Sequence, residues 1–299
     1  MNTYALYRTA LLANHTAPLP WMMRVAERLA DLRYAFSRAD REAVHANLRF
    51  IQGEGMVVPE MAREVFRNFG RYLVEFFNAH RPQSPLVCEG AETLRQVIPA
   101  AHGSIVLTGH LGNWELGAIM LRRCGFPVSA VVLPHQHHAV NRLFDAQRIR
   151  CGVDVVPLGD HATARCLEVL RQGSVLGMVG DRTFRGEGIP VSFFGRRVVL
   201  PRGPALLSLR TGAPVIPVFF LREGPWRFRF HLESPIWPPQ GSRRMGQVRA
   251  LTQTYAEIIE RYIRRFPTQW LMFQSIGAFE HPVERRHREP TVVCDHSRI

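Results

Sequence analysis

The stretch Ile105-Val106-Leu107-Thr108-Gly109-His110-Leu111-Gly112-Asn113-Trp114-Glu115-Leu116 decides the fold. Its apolar entry predicts a strand over 104–108, and the apolar spacing after it predicts a helix over 116–124. Between them lies a tight turn bracketed by Gly109 and Gly112. A strand, a glycine-bracketed turn and a helix together present polar side chains in a cleft at the end of a sheet. The polar residues here are His110 and Glu115. On one continuous helix, five positions mean a rotation of roughly 140°, and the two side chains would not meet. The spacing therefore puts His110 in the turn and Glu115 in the first or second helical turn, where the carboxylate can reach back to one imidazole nitrogen. That contact fixes the tautomer and leaves the other nitrogen free to take a proton. The first helical amides, near Gly112 and Asn113, point into the same space and are candidates for stabilising an oxyanion. The plainer alternative is a buried histidine at a strand end with Glu115 solvated.

Outward from this stretch the pattern repeats. Strands are predicted over 128–133, 153–157 and 174–179, with helices over 139–150 and 163–171 between them. Residues 215–221 and 227–232 read as further strands, and 245–266 as a long helix. Strands alternating with helices predict an α/β fold, a mainly parallel central sheet covered by helices on both faces. Upstream the pattern is helical. Three regions are expected: an N-terminal helical segment over 1–85, an α/β domain over 86–279, and a flexible, charged tail over 280–299. Trp21, Val25, Leu29, Leu32 and Phe36 form an apolar stripe at helical spacing, with Arg24 and Arg28 largely off it. Such a helix can lie on a membrane surface or pack its stripe on the domain.

The chain has 299 residues, 46% of them hydrophobic, and a formal charge of +13, so anionic partners are expected. All of its basic residues are arginine. The absence of lysine excludes a Walker-A phosphate loop and any Schiff-base chemistry. Five scattered cysteines without a CxxC pair argue for a reducing compartment and no structural zinc. His135, His137 and His138 invite a metal reading, but a polar loop is the stronger one, and neither metal nor cofactor is expected. No apolar run is long enough to cross a bilayer. A nucleic-acid partner is not expected, because the aromatics read as core and are not interleaved with arginine.

Other stations follow in order. Arg148 and Arg150 sit at a helix end. Gly180-Asp181-Arg182-Thr183-Phe184 follows a strand directly and leads into a Gly-rich loop ending Phe193-Phe194-Gly195. Pro201-Arg202-Gly203-Pro204-Ala205 opens a further helix, whose free first-turn amides favour an anion. Asp181 can orient Arg182 or share a proton network with His110.

His110 to Glu115, with these later stations, resembles the HX4(D/E) motif and companion motifs of the glycerolipid acyltransferase superfamily. It looks most like the bacterial lipid A biosynthesis acyltransferases, over roughly residues 40–275. The resemblance implies acyl transfer from a thioester, on acyl carrier protein or coenzyme A, to a hydroxyl of a membrane glycolipid or lysophospholipid. It implies His110 as general base oriented by Glu115, with Gly112, Asn113 and Asp181 positioning the reaction. Arg148, Arg150, Arg182 and Arg202 would hold substrate phosphate. It also implies contact with the cytoplasmic face of an anionic bacterial inner membrane; many members of the family carry an N-terminal anchor, whereas here, with no apolar run long enough to span, the contact is expected to be peripheral. A non-catalytic lipid-binding relative and an acyl hydrolase using the same dyad are the alternatives.

Overall fold

The computed structural model of the protein describes residues 17–52, 59–81, 86–99, 103–134, 137–183, 188–240 and 245–276. The first sixteen residues of the expected helical segment and the expected tail lie outside these. Among the described residues three helices come first: α1 (Leu19–Phe36), α2 (Arg38–Gln52) and α3 (Pro59–Asn78). Pro20 lies in the first turn of α1, where its missing N–H costs no hydrogen bond. The helix therefore begins at the prolines instead of being broken by them. α3 repeats apolar residues every three or four positions, and Val65, Phe66, Tyr72, Phe76 and Phe77 are buried.

The α/β region follows: β1 (Val87–Glu89), α4 (Leu94–Val97), β2 (Ser104–Thr108), α5 (Trp114–Arg123), β3 (Val128–Val132), α6 (His138–Arg150), β4 (Asp154–Pro157), α7 (Ala162–Arg171), β5 (Val175–Val179), β6 (Ile189–Phe193), β7 (Arg196–Leu200), α8 (Gly203–Thr211), β8 (Val215–Gly224), β9 (Arg227–Leu232) and α9 (Met245–Arg265). Seven strands form one sheet in the order β1-β9-β8-β2-β5-β3-β4. It is mainly parallel, as expected; β8 and β9 form the antiparallel step. The strands at its centre are predominantly apolar, as strands covered on both faces are.

Two features were not visible in the pattern. The stretch expected as a Gly-rich loop contains a hairpin, β6–β7, turned at Phe194 (φ 53°) and Gly195 (φ 74°). Two successive positive φ values give the turn that matches strand twist. A phenylalanine there is strained, but its ring is buried between Phe50 and Phe193. The second is α1. Its packing face is Met22, Ala26 and Ala30, set against α3 where Gly70 has no side chain; a Cβ there would lie 2.9 Å from the Ala26 carbonyl oxygen. Arg67 and Arg71 of α3 pair with Asp31 and Glu27. The apolar stripe, expected either on a membrane or on the domain, does not pack on the domain: it faces outward, with Phe36 84% and Leu32 53% exposed.

Candidate active site

The site is built by strand register. β2 and β5 are parallel neighbours with Thr108 opposite Val179. Two residues further on, the same register puts His110 beside Asp181, and the Gly180 N–H still bonds the Thr108 carbonyl at 2.8 Å. Both side chains emerge at the carboxyl ends of central strands, where α/β sheets place their ligands. His110 Nδ1 lies 2.8 Å from Asp181 Oδ1, and the His110 backbone N–H donates to Oδ2 at 2.7 Å. A third donor, Trp270 Nε1–H, reaches Oδ2 at 2.8 Å. Asp181 is wholly buried. Burial works against its charge, but the facing His110 and the three donors outweigh it and hold the carboxyl below its ordinary range.

Glu115 does not make the contact expected of it. Its carboxylate is engaged by Arg148, Nε to Oε2 at 2.9 Å and Nη2 to Oε1 at 2.5 Å. Glu115 lies in the first turn of α5, and Arg148 approaches from the last turn of α6; both are buried. Burial alone would disfavour the charge on Arg148, and the carboxylate beside it more than compensates. Asp145 completes the cluster at 2.8 Å from Arg148. The residue on the histidine is thus Asp181, 71 positions away in sequence, and the geometry corrects the expected His110–Glu115 contact.

The oxyanion expectation also needs correction. The Gly112 N–H bonds the Gln269 carbonyl and the Asn113 N–H bonds that of Phe220, both at 3.0 Å, so neither amide is available. Gly112 has φ +69°, and a Cβ there would fall 2.2 Å from the Phe220 carbonyl oxygen. Asn113 is the N-cap of α5: its Oδ1 accepts from the Leu116 N–H at 3.0 Å, and its Nδ2 donates to Glu75 at 2.9 Å. Glu75 is itself buried against Arg222 (Nη2 to Oε2, 2.7 Å). For the Trp114 and Glu115 N–H groups there is no acceptor among the described residues.

His110 opens onto a cavity of about 970 Å³. Its lining includes small and branched apolar residues, among them Val106, Ala118, Val128, Ala130 and Val218. It also includes Arg148, Arg182 and Arg202, with the opening turn of α8 at Gly203 and Pro204. Arg182 and Arg202 have no acidic partner among the described residues, whereas Arg148 is neutralised by Glu115 and Asp145. Arg150 is exposed, 3.4 Å from His80, and is not part of the cavity wall. His137 and His138 are exposed at the start of α6, and His135 lies outside the described residues. No cluster of metal-ligating side chains occurs among the described residues.

The pattern did not disclose Trp270, Gln269, Glu75 or Arg222. The Gln269–Leu271 segment closes over the motif from the far end of the chain: Leu271 N–H donates to the His110 carbonyl at 2.7 Å, and Gln269 Nε2 to that of Arg222 at 2.9 Å. Only the apolar character of 270–273 marked it. The partnership of His110 with Asp181 was derivable once β2 and β5 are taken as neighbours.

Residues 2–276 match the family described as bacterial lipid A biosynthesis acyltransferase. The chain is also similar to a phosphatidylinositol mannoside acyltransferase of Mycolicibacterium smegmatis, 27% identical over 87% of this chain and 86% of the relative. The protein of that name from Mycobacterium tuberculosis H37Rv is 28% identical over 81% of this chain and 78% of its own. With an ordered histidine opening on an apolar cavity and a match across nearly its whole length, this chain belongs to the bacterial lipid A biosynthesis acyltransferase family and is an acyltransferase.

Proposed function

We propose that the protein transfers a fatty acyl group from a thioester donor, acyl carrier protein or coenzyme A, to a sugar hydroxyl of a phosphate-bearing membrane glycolipid. The observation that carries this reading is His110, held by Asp181 in the wall of a cavity lined by both apolar residues and arginines. The family description and the relatives' names both point to glycolipids.

A thioester carbonyl is already activated; a sugar hydroxyl is the poor nucleophile. With the proton on Nδ1 facing Asp181, His110 offers Nε2 as general base. As the hydroxyl oxygen attacks the thioester carbon, its proton passes to Nε2. The tetrahedral intermediate then collapses, the C–S bond breaks, and the imidazolium returns the proton to the leaving thiolate. Positioned base catalysis of this kind contributes roughly 100- to 10,000-fold. The developing oxyanion is served by the Trp114 and Glu115 N–H groups at the α5 N-terminus. Glu115 and Arg148 form the charged wall against which the first turn of α5 is set. Arg182, Arg202 and the opening turn of α8 receive phosphate from donor or acceptor. The acyl tail lies along Val106, Ala118, Ala130 and Val218.

No covalent acyl-enzyme is needed. Burial raises the thiols of Cys88, Cys124, Cys151 and Cys166, that of Cys88 to about 12 and that of Cys166 to about 11. None offers a thiolate near neutral pH.

No helix among the described residues is long and apolar enough to span a bilayer. The outward stripe of α1, with Arg24 and Arg28 exposed beside it, fits an anionic membrane surface. α1 also lies next to the cavity rim: Arg33 stacks over Phe69 and Phe273, both of which line the cavity. Such docking would set the opening at the lipid headgroups, on the cytoplasmic face where thioester donors are made.

The test is mass spectrometry of lipids after incubation with palmitoyl coenzyme A or palmitoyl-acyl carrier protein. Vesicles carry phosphatidylinositol mannoside or a lipid A precursor, and His110→Ala is run alongside. A new acylated glycolipid, absent with the variant, is expected. Free fatty acid alone would replace transfer by hydrolysis, and turnover surviving in His110→Ala would overturn the assignment of the base.

A further inference from the structure

We infer that Trp270 is a positioning residue for the base: its indole N–H, bonded to the far oxygen of Asp181, holds the carboxylate in the orientation that serves His110. This rests on the reading of His110 as the base.

The Asp χ2 torsion is broad and roughly two-fold, so packing alone fixes the carboxylate plane poorly. Here three hydrogen bonds fix it. Oδ1 faces His110 Nδ1 at 2.8 Å; Oδ2 receives the His110 backbone N–H at 2.7 Å and the Trp270 indole at 2.8 Å. Two of the three donors belong to His110. They can follow the loop if it moves, and only Trp270 ties the carboxylate to a separate part of the chain.

That part is anchored on the backbone at and just after the histidine. Trp270 pairs with Leu111 through an antiparallel backbone bridge, Leu271 N–H bonds the His110 carbonyl, and the Gln269 carbonyl accepts from Gly112. The segment thus sets the backbone of the base while the indole sets its partner. A buried indole N–H always requires an acceptor. A tryptophan serving only as core would take any nearby carbonyl; this one takes the single carboxylate that contacts the histidine. Trp270 is 2% exposed, so water cannot stand in for it.

The chemical consequence follows from charge. Removing the N–H leaves more of the carboxylate charge facing the ring, so protonated His110 persists to higher pH and the base is lost earlier on acidification. It also frees the carboxylate to rotate, so the neutral ring no longer keeps its proton on Nδ1.

Three measurements test this. In Trp270→Phe, kcat with palmitoyl coenzyme A and phosphatidylinositol mannoside vesicles should fall about tenfold with KM within about twofold, the scale of one bond to a charged group. The acid limb of the kcat/KM profile should move up by about half a pH unit to one unit. Nitrogen NMR of the His110 ring should change from a single Nδ1–H tautomer to a mixture, and Trp270→His, which keeps a donor, should restore part of each effect. The unaltered protein supplies a readout that survives any folding defect of the variant: the Trp270 indole N–H signal should titrate with the dyad and stop doing so in His110→Gln. A wild-type pH profile and tautomer in Trp270→Phe, or an indole signal indifferent to pH, would overturn the inference. Turnover that persists in His110→Gln would instead remove the base assignment, so the two failures are distinguishable.

Discussion

Two buried carboxylates flank His110, and they illustrate different ways of placing a charge. Asp181 leaves the end of β5 into a ring of donors, two from His110 and one from Trp270. Glu115 leaves the first turn of α5 into a buried ion pair with Arg148. The one closer in sequence serves the scaffold and the distant one serves the histidine. Sheet register, which sets side chains opposite one another every second residue, has outweighed adjacency along the chain.

The sharpest test of this contrast is a crossed pair of isosteric changes. Asp181→Asn, which leaves His110 without an anionic partner, should lower kcat about 100-fold or more, with only a modest loss of stability in neutral buffer. Glu115→Gln should do the reverse. It leaves Arg148 buried with only Asp145 to balance it, and should cost about 3 kcal/mol of stability, read by denaturant titration, with a smaller loss of kcat. If the activity effects come out inverted, with Glu115→Gln the inactive variant, the roles of the two carboxylates must be exchanged.

Acid sharpens the comparison. The carboxyl of Asp181 is held below its ordinary range in the folded protein. The associated stability is complete above the unfolded value near ~3.9 and is lost as pH falls through the lowered one. The stability difference between wild type and Asp181→Asn should therefore shrink as pH drops below about 4. A difference that stays constant down to the folded value would show the carboxylate to be unperturbed.

The smallest effect concerns α1, far from either carboxylate. Leu32→Glu with Phe36→Glu should leave turnover of palmitoyl coenzyme A by the protein in detergent within about twofold. Binding to phosphatidylglycerol vesicles, read by flotation, should fall about tenfold or more, since each change removes an apolar contact and adds repulsion. Unchanged flotation would detach membrane contact from this helix.

Much of this architecture was legible in sequence because its signals are local. The apolar run at 104–108 and the alternating pattern at 227–232 coincide with β2 and β9, and the Gly-bracketed turn stands where its glycines require it. The site was legible only as far as its nearest neighbours. His110 announces itself, but spacing favoured Glu115 as its partner, and without knowledge of which strands adjoin Asp181 stood only as a residue that could orient Arg182 or share a proton network with His110. Placing β5 between β2 and β3 is a matter of topology, and it is what brings Asp181 into place. Trp270 and Gln269 were silent because a buried indole looks like core until its N–H is followed. The outward stripe of α1 was seen, but amphipathic spacing does not say which face another helix takes; Gly70 of α3, by admitting Ala26, decided it.

The Gln269–Leu271 segment also bears on how the protein is made. Just beyond it, Asn47 of α2 bonds the carbonyls of Met272 and Gln274 and the N–H of Ile276 at 2.8 to 2.9 Å, so the second helix and this late stretch are fastened to each other across more than two hundred residues. Contacts of such high sequence separation form late and slowly. During synthesis, the strands of the sheet emerge and can pair long before residues 269–276 leave the ribosome. A nascent chain can thus hold His110 and Asp181 on neighbouring strands and still lack the indole and the backbone bonds that fix them. On the reading of His110 as the base, the site would be complete only once this segment has docked.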